Sequence, residues 1–399
     1  MDFYGTIGPA CAQPAILQHM VEAGMTGIRM NLSHGPLAAH TDWLAMIRAA
    51  GIRQLLIDLQ GPELRIGTLA EPVALVEGSS VRLGADGVPC PAALVQAAAP
   101  GQQLLLDDGK LLVQVTQALP EALVCTVVRG GTLQSRKSIA APGLAVPSPT
   151  LTEEDLQNLK IAKQCGVTGV MLPFVRGKAD ILALRHALEE AGAADIRIFA
   201  KIENMTGVRA LPEFIHLVDE VVIARGDLGN AMPLWELPRC QKQLSAACRA
   251  AGVPFMVVTQ MLDSMCTRAV PTRAEVSDIY NAVLDGADCV MLSEETAMGN
   301  FPVETVQYMR KITDEAEKLL VDDRKLEEPA ANKGIPEFLA YSACLLAEKA
   351  HAKAIVSHSL SGASARQVSC RRPPQDIYAL TPDPVTIKAL NFVWGVHPV

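Results

Sequence analysis

Short apolar runs of four to eight residues alternate along the chain with stretches whose apolar positions recur at helical spacing. That rhythm is the signal of parallel β/α units. Strands are expected over 4–7, 27–30 and 55–58, with helical spacing at Ile16, Leu17, Met20 and Val21, closed by Gly24, and a helix over 37–50. The pattern reopens at Thr152-Glu153-Glu154-Asp155, spaced like a capping box. Further strands are expected over 169–174, 196–202, 221–224, 254–259 and 289–292, and helices over 178–190, 241–251, 274–284 and 302–319. Eight strands, each followed by a helix or an insertion, predict an α/β fold, a (β/α)8 barrel.

The rhythm stops between residues 66 and 142, where Gly, Pro and short alternating runs such as 111–115 and 123–128 predict a small all-β lid domain inserted after the third strand. No amphipathic helix stands out there, and the segment bears Asp107-Asp108-Gly109 and Ser135-Arg136-Lys137. The charged stretch 321–329 reads as a linker. A smaller α/β unit follows: helix 336–350, strand 353–357, a Ser/Gly turn at 359–364, helix 365–370, strand 376–380 and a helix over 385–394. The expected division is barrel 1–65, lid 66–142, barrel 143–320 and C-terminal unit 321–399.

With 399 residues, 49% hydrophobic and 20% charged, the chain is long enough for two or three domains and is globular in composition. A net charge of −8 argues against nucleic acid or an anionic membrane as the main partner. No apolar run approaches the roughly 18 residues of a membrane span, and no basic segment followed by an apolar core opens the chain. The ten cysteines are scattered without a Cys-x-x-Cys pair, most within apolar segments, as expected of reduced thiols in a cytoplasmic protein.

The strand Phe199-Ala200-Lys201-Ile202-Glu203 carries the first chemistry. Alternation along a strand points Lys201 and Glu203 to one face. Two buried opposite charges there are either a structural ion pair or a site. The next strand ends in Arg225-Gly226-Asp227. If the two strands are parallel neighbours, Glu203 and Asp227 lie about 5 Å apart, one strand spacing. Two hard carboxylates beside a Lys suit a divalent cation that holds an oxyanionic ligand.

The ordered motifs TIGPA (6–10), IRMNLSHG (28–35), DLQGPELR (58–65), LDDG (106–109), AKIEN (200–204), ARGDLG (224–229), VTQMLDSM (258–265), PTRAEVSD (271–278) and NAVLDGADCVMLSEETAMG (281–299) together resemble the pyruvate kinase family. The resemblance implies phosphoryl transfer from phosphoenolpyruvate to ADP, giving pyruvate and ATP. It implies catalytic roles for Lys201, Arg29 and Thr259, and substrate contacts from Lys201, Ala224, Arg225, Gly226, Asp227, Thr259, Ser293 and Glu295. Glu203 and Asp227 match the ligands of Mg²⁺ or Mn²⁺, and Asn31, Ser33, Asp58 and the carbonyl of Leu59 match a K⁺ site. His34, Arg65 and Lys137 match the nucleotide side, and Ser359, Ser361, Gly362 and Ser364 resemble a loop that grips an effector phosphate. For Thr272-x-x-Glu275 the capping-box spacing favours a structural role. A homo-oligomer is expected.

Against the family pattern, the segment before TIGPA is short, the lid is about a quarter to a third smaller, and the C-terminal unit stops at WGVHPV, an incomplete domain. Two other readings share the carboxylates: a catalytically weak metabolite-sensing or scaffold subunit, and an acid aldolase. The LDDG and DLQGPELR stretches argue against the aldolase. Glu63 in GPE accompanies K⁺ dependence in the family, where a Lys would supply its own ammonium. Turnover is therefore expected in K⁺ and lost in buffer holding only Na⁺ or choline; equal rates would remove the K⁺ assignment.

Overall fold

The computed structural model describes all residues except 108, 145, 323–325, 327 and 391–392. Eight parallel strands close into a barrel: β1 (Asp2–Thr6), β2 (Gly27–Asn31), β3 (Gln54–Asp58), β4 (Gly169–Leu172), β5 (Arg197–Ile202), β6 (Glu220–Ala224), β7 (Phe255–Val258) and β8 (Cys289–Met291). Each pairs with the next, and β8 pairs with β1 through Phe3 and Val290.

The strands look uniformly apolar because both faces are buried, yet the faces differ. Ile198, Ala200 and Ile202 of β5 join the core under the helices, as do Val221 and Ile223 of β6 and Leu55 and Ile57 of β3. The other parity packs inside the barrel: Tyr4, Leu56, Met171, Phe199, Val222, Met256 and Cys289 form that plug. By alternation Thr6, Arg29, Asp58 and Lys201 share the inward face at the carboxyl ends, above the plug. Gln54, Arg197 and Glu220 share it at the amino ends, below.

Expected boundaries hold to within four residues. The observed helices Lys178–Glu190, Leu237–Ala251, Arg273–Leu284 and Pro302–Asp322 cover those read from spacing. Thr152 and Thr272 each start a helix with a complete capping box, closed by Asp155 and Glu275. Three helices of the barrel escape the pattern, one of them the single turn Glu294–Ala297. Met205–Phe214 carries an internal Pro212, which reads as a breaker, and Arg225–Asn230 is too short to show a period.

The segment after β3 forms a five-stranded antiparallel sheet in the order Ile139–Ala140, Gln103–Leu106, Leu111–Ala118, Ala122–Arg129 and Ser80–Gly84. A two-stranded ribbon pairs Val73–Leu75 with Gly131–Leu133. The all-β expectation is corrected by a helix at Ala92–Ala97, whose Leu94 and Val95 are buried; six residues are too few for periodicity to reveal it. This insert touches the barrel's open end: a Cβ on Gly109 would come within 2.8 Å of Oδ1 of Asn230.

Toward the C-terminus a three-stranded parallel sheet, Ala354–His358, Asp376–Leu380 and Val396–Pro398, packs with helices Ile335–Lys349, Ala363–Ser369 and Pro384–Leu390. It docks beneath the barrel. Arg372 pairs with Asp288 at 2.9 Å, and Arg197 donates to the carbonyl of Ala389 at 2.9 Å. Residues 323–325 and 327 of the expected linker, 391–392 of the last expected helix, and Asp108 of LDDG lie outside the described residues. No described helix is long and apolar enough to cross a membrane. All ten cysteines are free thiols, six of them buried.

Close packing of the plug depends on missing side chains. A Cβ on Gly169 would sit 2.5 Å from the Phe199 ring and 2.6 Å from Leu56. Replacing Gly169 with Ala is therefore expected to destabilise the barrel by about 1–3 kcal/mol, the usual penalty of overpacking. Thermal unfolding measures it, and an unchanged midpoint would show that the plug yields.

Candidate active site

Strands β2, β3 and β5 bring four charged side chains into one line. Glu203 Oε1 lies 2.8 Å from Lys201 Nζ, Lys201 Nζ lies 3.2 Å from Asp58 Oδ2, and Asp58 Oδ2 lies 2.6 Å from Arg29 Nη2. Asp58 and Glu203 are almost fully buried, whereas Lys201 and Arg29 keep only slight exposure. Burial opposes the charge on Lys201, but Asp58 and Glu203 outweigh it and hold the ammonium above its usual range. Burial likewise opposes ionisation of Asp58, and the cations Lys201 and Arg29 reverse that. The second Glu203 oxygen accepts from the backbone N–H of Phe174 at 2.7 Å. Phe174 itself has φ 53°, so the chain after β4 bends to deliver that N–H.

The expected pairing of β5 with β6 is present: Ile202 stands opposite Ile223. Glu203 thus follows β5 while Asp227 lies three residues past β6, in the first turn of Arg225–Asn230. Ala224 closes β6, almost fully buried against the plug. A Cβ on Gly226 would come 2.9 Å from Thr259 Cγ2, so only glycine lets Thr259 rest there. Thr259 has φ 78° and the following Gln260 φ 53°. A β-branched residue in that region is strained, and such strain persists only where surrounding contacts enforce it.

The Arg225 guanidinium meets Asp278 at 2.6 Å and the Thr259 carbonyl at 2.9 Å, which holds the turn after β7. Buried Glu295 accepts from the backbone N–H groups of Leu262 (3.1 Å) and Ser293 (2.6 Å), tying the loops after β7 and β8 together. Burial raises its carboxyl above the ordinary range. Glu275 does similar work, capping its helix at Thr272 and accepting from Ser264 N at 2.7 Å.

On the other side, Asn31 and Asp58 are register partners at the ends of β2 and β3. The Asn31 side chain accepts from Ser33 N at 3.2 Å, and buried Leu59 donates its N–H to the Met171 carbonyl at 3.2 Å. Glu63 pairs with Arg65 at 2.6 Å. Burial raises the Glu63 carboxyl against the pull of Arg65, and the charges of Glu203 and Lys201 are close enough to act on it. His34 ends the short helix Leu32–His34; burial and then Arg65 and Arg29 depress its pKa. Lys137 of the insert pairs with Asp107 at 2.8 Å.

Two contributors were missed. Thr6 Oγ1 accepts from Arg29 Nη1 at 3.3 Å, and its place in TIGPA was the signal that marked it. Asp155 accepts from the backbone of Gln60 and Gly61 at 2.9 and 3.0 Å, fixing the loop that carries Glu63. Its partners lie some 95 positions away in sequence, so no local pattern shows them. The Ser359–Ser364 turn lies in the C-terminal unit, with Gly362 at φ 77° and Leu390 2.9 Å from where its Cβ would be.

A closed barrel with strand-end charges and a β insert reaching its open face is the architecture of a (β/α)8 barrel enzyme. Family models agree on the particulars. The pyruvate kinase barrel domain matches residues 2–306, and the pyruvate kinase alpha/beta domain matches 337–399. The chain belongs to the pyruvate kinase family. Among similar proteins, a pyruvate kinase of Agrobacterium vitis is 38% identical over 98% of this chain and 84% of its own length. One from Clostridium acetobutylicum is 34% identical over 99% and 87%. A crystal structure of a pyruvate kinase from Cryptosporidium parvum superposes with a TM-score of 0.91 at 32% identity, covering 100% of this chain and 86% of that one. Family membership removes the aldolase reading.

Asp58 carries two cations at once. Asp58→Asn should leave Arg29 and Lys201 facing each other with one carboxylate fewer, and stability should fall by about 3–5 kcal/mol, as when a buried pair loses one partner. Chemical unfolding reads this; a midpoint equal to that of the parent would show that Glu203 alone balances both cations.

Proposed function

We propose that the rim transfers the phosphoryl group of phosphoenolpyruvate to ADP. The observation that carries this is the Glu203–Lys201–Asp58–Arg29 line, which holds two fixed cations in a largely buried setting at the open end. In phosphoryl transfer the P–O bond to the enol oxygen breaks as a β-phosphate oxygen of ADP bonds to phosphorus. The enolate left behind then takes a proton at carbon to become pyruvate. Lys201 stabilises charge on the transferring oxygens and on the enolate, and Arg29 reaches the phosphate. Thr259 contacts substrate at its strained turn and acts in proton delivery.

The family generally uses divalent and monovalent cations. Glu203 and Asp227 fit Mg²⁺ or Mn²⁺ because both are hard carboxylates after neighbouring strands. Asn31, Ser33, Asp58 and the Leu59 carbonyl offer the oxygen donors K⁺ prefers, next to Glu63. When bound, these cations neutralise charge on the substrate oxygens. His34, Arg65 and Lys137 face the nucleotide side, and the insert excludes water as it closes. The reading implies a cytoplasmic enzyme, active as a homo-oligomer.

Lys201→Met keeps bulk and deletes charge. It should lower kcat by at least about a hundredfold, the usual effect of removing one stabilising group, while divalent-cation binding survives. Pyruvate formation, with each cation omitted in turn, is the assay. Turnover retained by the variant would take Lys201 out of the reaction.

A further inference from the structure

The seam where the barrel closes, between β8 and β1, is fastened by two buried threonine hydroxyls. Thr296, in the single turn Glu294–Ala297, accepts from the backbone N–H of Thr6 at 2.8 Å and donates to the Thr6 carbonyl at 3.0 Å. One hydroxyl thus serves both backbone groups of the residue that ends β1. The loop beyond is seated on the same turn. Ala10 donates its N–H to the Ala297 carbonyl at 3.0 Å, and a Cβ on Gly8 would come 2.5 Å from that oxygen.

The Thr6 side chain faces the charged line. Its hydroxyl donates to the Leu292 carbonyl at 2.9 Å, which commits its one proton. The lone pairs are left for Arg29, whose Nη1 approaches to 3.3 Å. Thr6 and Arg29 are register partners on β1 and β2. A β-branched side chain has little freedom at χ1, so the acceptor stays where the backbone puts it. Arg29 also gives Nε and Nη2 to Asp58 at 3.0 and 2.6 Å, but both bonds end on the same oxygen, Oδ2. Alone they would let the guanidinium pivot about that atom. Thr6 supplies the second fixed point. One N–H on each terminal nitrogen is then left without a partner among the described residues. A hydroxyl serving only the seam would need Leu292 and not Arg29.

We propose that Thr6 is a positioning residue for the transfer assigned to the rim, setting the plane of the Arg29 guanidinium so that its two remaining N–H groups meet the phosphoryl group. Thr296 holds Thr6 in turn. The inference rests on that assignment and deepens it, because the pair Thr6 and Arg29 then separates phosphorylated from unphosphorylated ligand.

Thr6→Val keeps the shape and removes the acceptor. With K⁺ and Mg²⁺ present, kcat/KM for phosphoenolpyruvate should fall by at least about tenfold, as for the loss of a hydrogen bond to a charged group. Calorimetric affinity for phosphoenolpyruvate should weaken with it, whereas affinity for pyruvate, which offers Arg29 no phosphate, should stay as in the parent. Thr6→Ser restores the hydroxyl and should recover most of both losses. If Thr6→Val does not fold, Thr6→Ala carries the same test, with space for water at the Leu292 carbonyl. Parental kcat/KM in the variant, equal weakening of phosphoenolpyruvate and pyruvate, or no recovery in Thr6→Ser would each overturn the proposal. A parent chain that binds phosphoenolpyruvate yet forms no pyruvate with ADP would remove the reaction itself, and the proposal with it.

Discussion

A buried line of alternating charge, Glu203 to Lys201 to Asp58 to Arg29, governs the open end of the barrel. Each ion would be unfavourable there alone, since burial opposes every charge in the line. Together they are stable because each inner member touches two opposites. The arrangement fixes more than side chains. Lys201 and Asp58 come from strands separated by β4, so their contact requires both to point inward over the plug. Phe174, bent into a positive φ just past β4, closes the line by donating to Glu203. A largely neutralised buried network of this kind is rigid, and rigidity suits chemistry that depends on positioning.

Around that line, carboxylates serve mainly as clamps on backbone N–H groups. Asp155 holds Gln60 and Gly61, Glu295 holds Leu262 and Ser293, and Glu275 holds Ser264 and Thr272. The Glu295 clamp joins the loops that leave β7 and β8, whereas Asp155 and Glu275 each tie a loop to the helix that follows it within one connection. Arg225 belongs to the same scaffold through Asp278 and the Thr259 carbonyl, and it helps hold Thr259 in its strained conformation. Lys201 and Arg29 are held apart from these clamps, by the charged line itself.

Beneath the plug the chemistry is different. Glu220 is fully buried there, and desolvation pushes its carboxyl up to about 8, against the pull of Arg197. Arg197 in turn reaches the Ala389 carbonyl of the C-terminal unit. The barrel floor and that unit thus share polar contacts.

The amino-acid sequence alone determined the number of strands, their parity and the types of residue placed at their ends. It did so because alternation and helical spacing are local, and because Lys201 and Glu203 sit two positions apart on one strand. Motif order also carried the family. Which charges meet was settled by closure of the barrel. Asp58 looked like a cation ligand and also proves to be the shared partner of Lys201 and Arg29, 143 and 29 positions away in sequence. The partners of Arg225 and Glu295 are likewise distant in sequence: closure of the ring brings Asp278 and the Thr259 carbonyl to the first, and the Leu262 N–H to the second. Local spacing says which way a side chain points, but barrel closure selects its neighbour, and for a buried charge the neighbour is what sets its role.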